Sequence, residues 1–103
     1  MILEVAILNV KQDLQYEFEK NFALASKYIS SIKGYIGHTL LKCVENENQY
    51  ILLVDWEDIE SHEIGFRKSK IYLKWKELLH YYYDPFPIVE HYETVFENKN
   101  NNS

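Results

Sequence analysis

Cysteine, glycine, proline and basic residues are all scarce in this 103-residue chain, and each scarcity removes a class of protein. The lone Cys43 can form no intramolecular disulfide, which argues against a disulfide scaffold and for a reducing, cytoplasmic setting. Three glycines are too few for a phosphate-cradling loop, and no P-loop or Rossmann fingerprint is present. Eleven Lys and Arg against sixteen Asp and Glu leave a net charge of -5, the wrong sign for nucleic acid or an anionic membrane. The start MILEVAILNV is apolar, but it holds Glu4 and lacks a basic flank and a small-residue cleavage site. It therefore reads as a strand and not as a leader. No apolar run approaches the roughly 20 residues of a membrane span. His62-Glu63 opens like the metal motif H-E-x-x-H, yet its last position is Phe66, and no Cys or His pair has zinc spacing. Neither a metal nor another bound cofactor is expected.

Aromatic residues, in contrast, make up 16% of the chain and crowd into its second half. Ile2 to Val10 is β-rich and almost wholly apolar, as in a strand buried on both faces. Asp13 offers an N-cap, and Leu14, Phe18, Phe22, Ala25, Ile29 and Ile32 form one helical stripe, predicting a helix from Asp13 to Ile32. Gly34 follows as a residue able to take the left-handed conformation that stops a helix. Tyr35 to Val44 and Tyr50 to Trp56 flank the polar turn ENEN and read as a hairpin. Asp58 caps a short helix through Phe66, and Ser69 caps a second whose stripe holds Ile71, Tyr72, Trp75, Leu78, Leu79 and Tyr82. Asp84-Pro85-Phe86-Pro87 ends that helix, the tyrosines before it are expected at a dimer edge, and Ile88 to Phe96 makes the last strand.

The order βαββαβ is the ferredoxin-like plan, an α+β domain with an antiparallel sheet, spanning residues 1–96 and followed by a polar tail, 97–103, expected to be disordered. Its central strands, the first and third, are the two most apolar runs. They divide Leu3, Val5 and Ile7 from Ile2, Ala6 and Leu8, and Leu52, Val54 and Trp56 from Ile51 and Leu53. Helices cover only one face, so the other, worth roughly 1.5–3 kcal/mol per buried side chain, calls for a second copy of the chain. A homodimer is expected.

The stretch Gly34-Tyr35-Ile36-Gly37-His38, the strand end Val54-Asp55-Trp56-Glu57 and the segment HEIGFRKSKIYLKW from His62 to Trp75 resemble the antibiotic biosynthesis monooxygenase-like proteins. The ending LHYYYDPFPIVEHY, from Leu79 to Tyr92, is similar to one small-protein branch of that group. The resemblance covers about residues 1–96 and implies a dimeric α/β barrel with a pocket in each subunit between helices and sheet. It further implies a cofactor-independent monooxygenase acting on a small phenolic, quinol or polyketide-like aromatic. A non-catalytic dimer of the same fold that binds a small ligand or another protein is the alternative, because one fold hosts many activities. The haem-degrading branch carries a strand Asn, a Trp and a His; here the latter two positions fall on Phe66 and Lys76, while Asn9 sits too near its strand end. Haem chemistry is thus not implied.

Oxygenation without a cofactor needs a base, donors that hold an anion, and a dry aromatic cavity. His62 or His80 could act as base, with Arg67, Tyr72 or the Trp75 indole N–H holding the oxyanion. Phe66 shares a helix face with His62. Trp56, and His38 and His91 from the outer strands, could reach the same pocket from the sheet. Each has a plainer alternative. His62 can be a solvated residue between Glu60 and Glu63, and His80 a charge-matched helix end. Arg67 can pair with Glu63 four residues earlier; Tyr72 and Trp75 can be core; His38 and His91 can lie at the dimer interface.

Overall fold

The computed structural model describes residues 1–100. The order is β1 (Ile2–Asn9), α1 (Gln15–Ile29), β2 (Tyr35–Lys42), β3 (Gln49–Trp56), a π-helical turn (Ser61–Phe66), α2 (Lys70–Leu79), a short 3-10 turn (His80–Tyr82) and β4 (Val89–Tyr92). The four strands pair antiparallel in the order β2-β3-β1-β4, so the two most apolar runs occupy the centre, as the ferredoxin-like plan requires. No helix among the described residues is long and apolar enough to cross a membrane.

Three boundaries differ from the expectation. Asp13 does not cap α1: it sits at φ 69° in the turn before it, and Leu14 precedes the helix without a side-chain cap. At its other end α1 stops at Ile29, before Ile32, and the chain turns through Gly34 at φ 92°. A Cβ there would lie 2.0 Å from Ser61 Oγ, so the glycine permits both the left-handed backbone and the close approach of the turn that carries His62. β4 is four residues long, not the nine of Ile88 to Phe96. It pairs with Leu3–Ala6 of β1, and the pairing ends at Tyr92. Of the tail, residues 97–100 are exposed and without regular structure, and 101–103 lie outside the described residues.

Strand alternation decides which side chains meet the helices. Ala6, Leu8 and Val10 of β1 and its extension, and Tyr50, Leu52, Val54 and Trp56 of β3, face inward and are buried. Phe18, Phe22, Ala25 and Ile29 of α1, with Trp75 and Leu79 of α2, close over them. Phe18 is fully enclosed, its ring within 5.0 Å of Tyr50 and about 6 Å of Phe22, Tyr82 and Tyr83. The intervening residues Leu3, Val5, Ile7, Ile51, Leu53 and Leu41 look the other way, and no helix among the described residues packs over them. Ile7 and Leu41 are each 46% exposed, and beyond the sheet edge Val95 and Phe96 are almost wholly so. The sheet has the two apolar faces read from its sequence, and the fold covers one.

Candidate active site

One inward position of β1 breaks the apolar pattern. Glu4 lies between Ile2 and Ala6 on the helix-facing side and is 5% exposed. Burying a carboxylate costs several kcal/mol unless partners compensate. Trp56 on the neighbouring strand donates its indole N–H to Glu4 Oε1 at 2.9 Å, and His62 Nε2 lies 3.3 Å from the same oxygen. The antiparallel register sets His91 of β4 directly opposite Glu4. His91 Nε2 in turn meets His62 Nδ1 at 2.8 Å, and His91 Nδ1 is 3.9 Å from the exposed Glu63. The Trp56 ring stacks on His62 at 5.3 Å, which fixes the imidazole plane. A line of polar groups therefore runs from the core to the surface.

His62 reaches this line because of the turn that carries it. The Asp58 carboxylate accepts from the Ser61 N–H and hydroxyl, starting the turn as its sequence suggested. The turn then widens to a π-helix, in which Arg67 N–H donates to His62 O, five residues back. Ser69 ends it and caps α2, its hydroxyl accepting from Tyr72 N–H. His62 and Phe66 would share a face in an ordinary helix too; the wider turn adds Arg67, five residues after His62, to that side.

That side is a cavity of about 50 Å³ between sheet and helices. Its floor is Glu4, Ala6, Leu8 and Leu52 from the sheet; His62, Phe66 and Arg67 come from the π-turn, and Tyr72, Trp75 and His80 from α2 and its end. Tyr83, Phe86, Pro87 and Val89 close the remaining wall. Six of the nine residues singled out in the sequence thus share one cavity.

The other three do not line it. Trp56 is fully buried behind His62, with its N–H already committed to Glu4. His91 stands one step further back, behind His62. His38 is further still: its Nε2 meets Ser26 Oγ at 3.0 Å, its Nδ1 the Tyr35 hydroxyl, and its ring packs on Phe22. Two plainer alternatives also fail. His62 is not solvated, being 3% exposed, and Arg67 forms no ion pair with Glu63 among the described residues, since the π-turn carries Glu63 toward His91. Nor do the tyrosines before Asp84 gather at an edge: Tyr82 is core, Tyr83 lines the cavity, and only Tyr81 stays exposed.

Glu4 was visible in the sequence only as the charged residue that spoils a leader. Its in-register place with Ala6 and Leu8 was the signal that it points inward. Tyr83 and Phe86 carry no such local signal, since a chain reversal brings them back.

Burial dominates the electrostatics. It pushes Glu4 up from 4.5 to about 7, against the pull of the Trp56 hydrogen bond and of Arg67. It also pushes His62 down to about 3, helped by His91 and Arg67, and His80 down to about 4, helped by Lys76 and Arg67. Both imidazoles are neutral at pH 7, and Glu4 changes charge near neutrality. A carboxyl raised in the folded state holds its proton where the unfolded chain has lost it. Its contribution to stability is therefore complete below about 4.5 and lost as pH rises through about 7. The lowered histidines act oppositely: their contributions are complete above 6.5 and lost as pH falls toward 3 to 4. Stability is expected to peak near pH 6.5. Glu4→Gln should remove the alkaline decline, with a gain over the parent chain between pH 5 and 8 of up to about 3 kcal/mol. Denaturant titrations at the two pH values check this; equal differences at both would contradict it.

A family model for antibiotic biosynthesis monooxygenases matches residues 1–78. The uncharacterised protein YczJ of Bacillus subtilis (strain 168) is 50% identical over 95 residues, which cover 92% of this chain and all of that protein. A solved structure from Bordetella bronchiseptica, provisionally named an antibiotic biosynthesis monooxygenase, superposes with a TM-score of 0.88 at 29% identity, covering 92% of this chain and 97% of the other. SnoaB, a cofactor-independent oxygenase from Streptomyces nogalater, superposes with a TM-score of 0.74 at 21% identity over 94% of each chain, a likeness of fold alone.

Proposed function

The chain belongs to the antibiotic biosynthesis monooxygenase family, and on that premise we propose that it is a cofactor-independent monooxygenase of a small phenolic, quinol or polyketide-like aromatic. The observation that carries this is the cavity, where a buried acid, neutral imidazoles, a guanidinium and aromatic walls converge. For a phenol the balance is phenol plus dioxygen to quinone plus water. The substrate loses its O–H and one ring C–H proton, one oxygen atom bonds to the ring carbon, and the other leaves as water.

Each residue has a part in that scheme. Arg67 is exposed at one end and lines the cavity at the other, so it is the cation that meets a phenolate as it enters. The Trp75 indole N–H has no hydrogen-bond partner among the described residues and can donate to the same oxygen. Tyr72 Oη lies 3.4 Å from His80 Nε2, and together they supply a second polar corner. His62 has both ring nitrogens engaged, by Glu4 and His91, so its role is to position Glu4 and not to take the substrate proton itself. Phe66 supplies an apolar wall.

At about 50 Å³ the cavity has room for dioxygen or a few waters, well short of the ~300 Å³ at which ligand pockets begin. Admission of an aromatic ring therefore needs the wall formed by Phe86 and Pro87 to swing out; Phe86 is 57% exposed and its ring rests edge-on against His80. We also assign the uncovered sheet face to a second copy of the chain. An isologous pair would bury the open faces together with the exposed Val95 and Phe96 beside them. Residues 1–96 form one domain in this scheme, and the chain acts in the cytoplasm.

An oxygen electrode tests the chemistry. With a panel of hydroquinones and naphthols, uptake is expected above the autoxidation rate and is expected to fall at least tenfold in Arg67→Ala. Uptake no faster than autoxidation across the panel would favour the non-catalytic, ligand-binding alternative.

A further inference from the structure

Glu4 is the strongest chemical anomaly in the chain, and the oxygenase scheme leaves its second oxygen unused. Oε1 is held by Trp56 and His62. Oε2 makes no hydrogen bond among the described residues, yet no buried side-chain oxygen there lacks a partner. Oε2 must therefore retain accessible space, and the space beside Glu4 is the cavity it lines. A carboxylate with one oxygen clamped and one free toward an aromatic-lined cavity is built as a proton acceptor.

We propose that Glu4 is the general base of this cavity, and that His62 and His91 link it to solvent at Glu63 so that its proton exchanges while the cavity is closed.

The base step rests on the oxygenase reading; the exchange path does not. In the base step the substrate O–H bond breaks, an Oε2–H bond forms, and the electron pair stays on the substrate oxygen as a phenolate. Dioxygen is the oxidant; the oxygen atom that leaves as water takes two protons, one from the ring C–H bond and one from Glu4, which is discharged and recharged through His62 and His91 during each turnover. In the exchange path with Glu4 ionised, His91 Nε2–H donates to His62 Nδ1, while His62 Nε2–H faces Glu4 Oε1. Uptake of one proton at His91 Nδ1 shifts both protons one place inward, leaving neutral Glu4 and two neutral imidazoles. Once the carboxyl proton has passed from Oε2 to Oε1 by rotation of the neutral carboxyl group, the reverse shift discharges Glu4 into solvent, where the Glu63 side chain is 56% exposed.

The surroundings agree with this assignment. Glu4 is faced by Trp56 from β3, by His62 and Arg67 from the π-turn, by Tyr83 from beyond α2 and by His91 from β4. Arg67 is the one permanent charge among them, and it favours the ionised acid without neutralising it by contact. Burial outweighs it and leaves the carboxyl near 7, where a base must sit to work at neutral pH. The two histidines sit too low or too far back to do so: His62 is lowered to about 3 with both nitrogens occupied, and His91 lies behind it.

Three measurements on the full chain test the proposal. Glu4→Gln, which keeps the shape and the Trp56 contact, should lower kcat at least 100-fold with KM changed less than threefold, and should abolish the pH limb near 7. His91→Ala should slow kcat about tenfold, with recovery on adding imidazole in proportion to its concentration; a packing defect would not recover. The third needs no turnover and no variant that folds. In the unsubstituted chain labelled with 13C-glutamate and 15N-histidine, one carboxyl should titrate near neutrality, and two imidazoles should shift at the same midpoint. Wild-type kcat in Glu4→Gln would overturn the base. Carboxyls that all titrate in the ordinary range, or imidazoles that do not follow, would overturn the path. If no hydroquinone is oxidised, the oxygenase reading and the base step fall together, while the coupled titration still decides the path.

Discussion

Leu53→Lys is expected to turn a dimer into a monomer. Leu53 lies at the centre of the uncovered face, on β3 opposite Val5 of β1 and Thr39 of β2. In an isologous pair each substitution occurs twice, and two ammonium groups would be driven into the contact, where Asp55, two residues along the same face, and Glu90, beyond Val5, are the nearest acids and neither stands directly opposite Leu53. A stable pair needs about 800 Å² buried per partner, and the open face offers exposed Ile7 and Leu41, with Val95 and Phe96 beside them, toward it. In light scattering after size exclusion, the parent chain should run at twice its own mass and the variant at once, or the variant should precipitate. The circular dichroism of the soluble monomer should be unchanged, because Leu53 points away from the core. A soluble Leu53→Lys dimer would show that another surface pairs, or that the face stays in water.

Phe18→Ala is expected to be the most destabilising single truncation. Phe18 is wholly enclosed, and its ring sits among Phe22, Tyr50, Tyr82 and Tyr83. Truncating a buried Phe costs about 3–5 kcal/mol through lost transfer energy and the void left behind. A domain of this size has about 5–15 kcal/mol in all. At roughly 4–8 °C per kcal/mol, Tm should fall by about 12–40 °C. The loss should reach the active site as well, because Tyr83 packs on Phe18 from one side and lines the cavity on the other. A drop in Tm of less than 5 °C, read by calorimetry, would mean that the core collapses around the void.

The fold was legible because its signals are local. The continuous apolar runs of Ile2 to Asn9 and Gln49 to Trp56, the helical stripe from Phe18 to Ile29 and the Ser69 cap each act within a few residues. Where local signals misled, strand pairing and backbone geometry decided: β4 keeps only the four residues that pair with Leu3–Ala6, and Asp13 gives up its capping role to a left-handed turn. The site was half legible for the same reason. His62, Arg67, Tyr72, Trp75 and His80 sit on one short helical stretch, so their types and spacing brought them together on paper. Glu4 and His91 are 87 residues apart and become neighbours only through the β1–β4 register. His38, equally inviting by type, lies across β3 and faces α1. Periodicity also treats the segment after Asp58 as an ordinary helix, and the π-turn that seats Arg67 beside His62 has no periodic signature of its own.

The central claim is that this cavity inserts one atom of dioxygen into a phenolic ring. Turnover of a hydroquinone by the purified chain under 18O2, followed by mass spectrometry of the product, tests it most directly. One 18O atom per product molecule, and its loss in Glu4→Gln, is the result predicted. Product free of 18O, or labelled equally with and without the protein, would contradict it.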